Sequence, residues 1–157
     1  MLASLLVTRS LPPAAPLPSE QFGWMVLPRH GLRPLRFKGR ALVRAAARDP
    51  ALPVWSEVVV HETEGGLLVV AIRHECRGEA APPCVYAEAF GHTDAAIEFL
   101  HAHDPLRDLP VAVLYAGAEA APDGLRDAAA LACADRLRRG WQEVLTACFG
   151  ARHHIRP

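Results

Sequence analysis

Two β-rich runs, Trp55 to Thr63 and Leu67 to Cys76, flank Glu64-Gly65-Gly66, and this pairing constrains the fold more than any other feature of the chain. Glycine supplies the positive φ that tight hairpin turns need, and branched apolar residues on both sides favour extended chain. Side chains alternate across a strand, so Val58 and Val60 share one face of the first run while Trp55, Glu57, Val59 and His61 share the other. In the second run Leu68, Val70 and Ile72 oppose Leu67, Val69 and Ala71. Neither face is polar near its centre, which predicts a strand inside the sheet with cover on both sides.

Further elements follow in both directions. Cys84 to Phe90 alternates again and adds an antiparallel strand that Gly91 ends. Thr93 is placed to cap a helix, Asp94 suits its first turn, Ala96, Ile97 and Leu100 repeat at helical spacing, and Asp104-Pro105 stops it. Leu109 to Tyr115 reads as one more short strand, and Ala121-Pro122-Asp123-Gly124 as a turn. Leu125 to Phe149 is a long helix whose stripe runs Ala130, Ala134, Leu137, Trp141, Val144, Leu145 and Cys148, with Trp141 in the core. Gly140 lowers its propensity.

Upstream, Phe37, Gly39, Ala41, Val43 and Ala45 alternate as in a strand, although the alanines and arginines of the stretch also suit a helix. As a strand it carries Lys38, Arg40 and Arg44 on the face opposite Phe37 and Val43. The run LPPAAPLP lacks the donors for helix or sheet and reads as extended chain. Met25, the only other methionine, precedes the first sustained pattern and marks an alternative start.

The expected fold class is therefore α+β, an antiparallel β-meander of about four strands with two helices packed on one face. A flexible Pro-rich segment over 1–28 precedes a single domain over 29–150, and 151–157 form a tail. A chain of 157 residues suits one hydrophobic core.

The formal net charge of zero conceals an asymmetry. Residues 1–50 hold eight Lys/Arg against two acids, and the remainder holds nine against fifteen. Either the two parts attach to each other or the basic part takes an anionic partner. Cys76, Cys84, Cys133 and Cys148 form no C-x-x-C pair, and the apolar start is too short for a membrane span, so reduced thiols and a cytoplasmic setting without membrane contact are expected.

Read as a template, Phe37-x-Gly39-x-x-Leu42, Trp55-x-Glu57 and Thr63-x-x-Gly66 followed by Val69-Val70 resembles the EXLDI-type proteins, a family of small bacterial proteins of unknown function. The resemblance spans roughly the middle third, and His61 stands where that family usually has a tyrosine. It implies a shared sheet and carries no activity with it.

Three chemistries are open to these residues. A zinc site would gather His61, His74 and Cys76, with Cys84 and His92 near, because a hairpin brings its strands together and His74 and Cys76 share a face. A thiol nucleophile would use Cys84 with His74 and Glu88, but no nucleophile motif surrounds any cysteine or serine. Glu57 and Glu62 fall on opposite faces and form no acid/base couple, and Gly65-Gly66 lacks the lysine of a phosphate loop. Single-stranded nucleic acid would be met by Arg33, Arg36, Lys38, Arg40 and Arg44, with Phe37 or Trp55 as stacking aromatics. No cofactor is called for, and the leading expectation is a non-catalytic binding or accessory module whose partner is a protein, a second copy of the chain or nucleic acid.

Overall fold

The computed structural model describes residues 21–78, 82–116 and 118–149. Five strands, β1 (Gly23–Arg29), β2 (Leu32–Ala47), β3 (Val54–Thr63), β4 (Leu68–Cys76) and β5 (Cys84–Phe90), form one sheet in the order β1-β2-β3-β4-β5. Every neighbouring pair is antiparallel. The helices are α1 (Thr93–Ala102), α2 (Val111–Ala116) and α3 (Arg126–Phe149), the last entered through a 3-10 turn at Asp123–Leu125.

The β3–β4 hairpin forms where its glycines place it. Gly66 takes φ +81°, and the Thr63 hydroxyl oxygen accepts the Leu67 N–H at 2.9 Å, closing the turn. Val58, Val70 and Ile72 are buried under α1 and α3 with Ala45, Ala96, Leu100, Trp141, Val144, Leu145 and Cys148. A second cluster gathers Leu52, Val54, Cys76, Val113, Cys133 and Leu137 around α2.

The opposite face of β3–β4 is also buried, at Val59, His61, Val69 and Ala71. Cover there comes from the sheet itself, which curls until the turn after β1 meets β5, His30 N–H donating to the Val85 carbonyl at 2.6 Å. Gly39 makes this curl sterically feasible. A Cβ at that position would lie 2.7 Å from the Glu62 carbonyl oxygen and 2.6 Å from the Phe37 ring.

Several expectations need correction. Among the described residues the sheet has five strands, because Gly23–Arg29, most of which falls in the segment expected to be flexible, pairs with β2, and there are three helices. Its Pro28 is tolerated on an edge strand, where the register shifts between Leu27 and Arg29. Val111–Ala116 is helical rather than extended, since Val113 must enter the second cluster. Thr93 is the first helical residue, and the N-cap is His92, with no side-chain cap. Within β2 the register shifts between Ala41 and Val43, so Phe37 and Val43 lie on opposite faces and the basic residues do not share one side. Of the N-terminal run only residues 21–28 are described, and the tail 151–157 lies outside the described residues.

Candidate functional site

Three of the five basic candidates are matched within the sheet. Lys38 pairs with Glu64 at 2.9 Å, Arg40 reaches one Glu62 oxygen with both Nε (3.0 Å) and Nη2 (2.8 Å), and Arg44 lies 3.5 Å from Glu57. These contacts join the basic part to the acidic part. Arg33 and Arg36 are exposed and make no ion pair with a described residue.

On β1, Trp24 lies opposite Lys38 and Val26 opposite Arg36, so all four side chains share one face. Trp24 is 80% exposed and Val26 57%. The Arg40 guanidinium sits 5.0 Å from the Phe22 ring centroid beside them. The aromatics of this surface are therefore Phe22 and Trp24. Phe37 turns to the inner face against His61, with ring centroids 5.6 Å apart, and Trp55 is flanked by Arg48 and Arg73 at 4.5 and 5.9 Å.

His61, His74 and Cys76 do not converge. His61 lies opposite Val69 while His74 lies opposite Ser56, an odd separation along β3 that puts them on opposite faces. Cys76 enters the apolar cluster around α2. No group of three or more His, Cys, Asp or Glu among the described residues is arranged to hold a metal ion. Cys84 is aligned with His74, but its thiol donates to the Asp108 carbonyl at 3.7 Å. Burial and the Asp108 charge push that thiol pKa up, the reverse of an activated nucleophile. Glu88 lies opposite Val70, away from both.

What His74 does meet is His103. Pro105 disfavours helix at Asp104, so α1 ends and His103 takes extended angles, φ −73° and ψ 124°. Its ring meets that of His74 end to end and nearly coplanar, with centroids 5.0 Å and planes 9° apart, and their Nε2 atoms are 2.7 Å from each other. On the far side, His74 Nδ1 is 2.8 Å from the Ser56 hydroxyl. Trp141 of α3 packs edgewise on both rings, at 5.7 Å from His74 and 5.2 Å from His103. Tyr86 of β5 abuts His103 at 4.9 Å and donates its hydroxyl to Asp108.

Burial disfavours charge on either imidazole. The His74 pKa is lowered to about 3 by burial and then by the neighbouring His103, with Asp104 and Asp108 opposing. Burial lowers His103 as well, while Asp104 pulls the other way and Arg107 adds to the lowering. Near neutral pH both rings are uncharged, so one Nε2 donates and the other accepts. Burial and the Tyr86–Asp108 hydrogen bond raise the phenol pKa, leaving it a donor.

Sequence reasoning found His74 and missed its partners. Ser56 offers only strand parity, and His103 lies 29 positions from His74 in a loop. No local spacing joins them; the packing of α1 on β4 and β5 does.

Comparison with protein-family models, with curated proteins and with solved structures finds no match to this chain. No helix among the described residues is long and apolar enough to cross a membrane.

Proposed function

We propose that this protein is a non-catalytic binding module whose recognition surface is the outer face of the β1–β2 hairpin, and that its ligand is single-stranded nucleic acid. The observation that carries the reading is Trp24, 80% exposed and opposite Lys38 on a face that also presents Val26 and Arg36. An indole standing in solvent offers a base a stacking surface, and the surrounding cations meet the phosphates. Arg33 and Arg36 are exposed and make no ion pair among the described residues. Lys38 and Arg40 are held by surface carboxylates, whose pairs are worth roughly 0–1 kcal/mol and exchange readily for a phosphate.

The test is fluorescence anisotropy of a labelled oligothymidylate titrated with the full chain at low salt. Binding should weaken steeply as salt rises, quench tryptophan emission, and fall about tenfold in Trp24→Ala, the scale of one lost stacking contact. Negligible affinity at low salt, or affinity indifferent to salt, removes nucleic acid as the ligand. A protein partner is the second reading, favoured by the exposed apolar row of Trp24, Val26 and Leu32. Light scattering over a range of concentrations tests its homodimeric form: a rising mass that Trp24→Ala abolishes supports it, and a constant monomer mass rules it out.

A further inference from the structure

The strongest unassigned feature lies elsewhere, at the C-terminal end of α1. An open depression of about 340 Å³ is bounded there by His103, Asp104, Arg138, Arg139, Trp141 and Gln142. That volume matches the low end of small-molecule sites and holds a molecule of about one ring.

Its charge favours an anion. Arg139 is exposed and makes no ion pair with a described residue. Arg138 reaches Asp104 and Asp135 only at 3.9 Å each, leaving most of its hydrogen-bonding capacity unused. Trp141, 2% exposed, has a buried indole Nε1 with no hydrogen-bond partner among the described residues.

The histidine pair determines what His103 can offer. Ser56 is buried, and its only side-chain hydrogen bond among the described residues is to His74 Nδ1. If His74 Nδ1 carried the proton, the serine hydroxyl proton would be buried without an acceptor, at a cost of about 1–3 kcal/mol. The order that satisfies every buried group of the chain has Ser56 Oγ–H donating to His74 Nδ1. His74 Nε2–H then donates to His103 Nε2, and the remaining proton of His103 sits on Nδ1. That Nδ1–H has no acceptor among the described residues. Thus two imidazoles, His101 and His103, and two guanidinium groups, Arg138 and Arg139, line the same depression against a single carboxylate, Asp104.

We propose that this depression is a binding site for a small organic anion, a carboxylate on a planar body of about one ring, which accepts hydrogen bonds from His103 Nδ1 and from the Arg139 guanidinium. Ser56 and His74 are positioning residues that hold the His103 tautomer. The site is separate from the β1–β2 surface, and neither reading depends on the other.

The test is a nuclear magnetic resonance titration of the full chain with benzoate, and with benzamide as a neutral molecule of the same shape. Benzoate should shift the Trp141 indole N–H and the His103 ring signals saturably, and benzamide should not. Ring nitrogen shifts should show His103 protonated at Nδ1 and bare at Nε2. Arg139→Gln, on an exposed helix face, should weaken binding about tenfold, the scale of one lost charge-assisted contact. Ser56→Ala should weaken it too and mix the His103 tautomers, while Trp24→Ala should leave it unchanged. The proposal is overturned by no saturable shift up to about 20 mM, well beyond millimolar affinity. It is equally overturned by benzamide binding as well as benzoate, by an indifferent Arg139→Gln, or by His103 protonated at Nε2.

Discussion

At the scale of single residues, the buried histidines couple stability to pH. The folded state lowers the His74 pKa to about 3, whereas the unfolded chain titrates near 6.5. Between those values the unfolded chain binds the proton more readily, so stability is complete above pH 6.5 and is lost as pH falls. Lowering pH from 7 to 4.5 should cost roughly 2–3 kcal/mol from His74 alone, with His61 and His103 shifted in the same sense. Urea midpoints across that range measure the loss, and His74→Gln should flatten the slope. An unchanged slope in that variant would assign the dependence to other groups. Gly39 makes a second residue-scale prediction. Gly39→Ala should destabilise by about 1–3 kcal/mol, because its new methyl meets a backbone carbonyl and an aromatic ring that cannot both give way. Neither effect was legible in the sequence. Gly39 stood out as a weak helix residue, and His74 as a ligand rather than as one half of an imidazole pair.

At the scale of elements, what periodicity encodes was readable and what packing decides was not. The β3–β4 hairpin, β5, α1 and α3 all announce themselves by alternation or by three-and-four spacing, with glycine or proline at their ends. The segment that became α2 did not, because Val111, Val113 and Tyr115 alternate like a strand, and only the docking of Val113 beside Leu137 and Cys133 selects the helix. In β1 the contiguous Trp24, Met25, Val26 and Leu27 show no alternation of polarity, and Pro28 argues against a strand unless its edge position is known. The shift at Leu42 is the costliest omission. One extra residue reverses the faces of β2, sending Val43 and Ala45 toward the helices while Arg36, Lys38 and Arg40 stay on the same side, beyond them. Within α3, Gly140 stands where the helix gains nothing from it. A Cβ there would meet only the Ala47 methyl, at an ordinary 3.6 Å, so Gly140→Ala should stabilise the protein by about 0.5–1 kcal/mol. A lowered thermal midpoint in that variant would mean that α3 and β2 are packed more tightly than this spacing allows.

At the scale of the molecule, the charge asymmetry and the curled sheet describe one arrangement. The basic β2 lies beside the acidic β3 and its turn, and Lys38–Glu64, Arg40–Glu62 and Arg44–Glu57 bridge them. These pairs are exposed enough to contribute little to stability, so apolar burial must set how the sheet resists opening. That burial is uneven. β3 and β4 are covered by α1 and α3 on one face and by the curl on the other, with Val58, Val69, Val70 and Ile72 almost wholly buried. β1 has a ladder to β2 on one side, an exposed outer face, and closure onto β5 where His30 meets Val85. Hydrogen exchange should therefore separate the sheet into two levels. Amides of β3 and β4 should exchange only through global unfolding, and those of β1 through a local opening of smaller free energy and weaker denaturant dependence. His30→Pro, which removes the donor to Val85, should speed exchange in β1 and leave β3 and β4 at the global rate. Uniform protection across all five strands would show instead that the curl opens only as the whole sheet does, and that the β1–β2 surface is as rigid as the core beneath it.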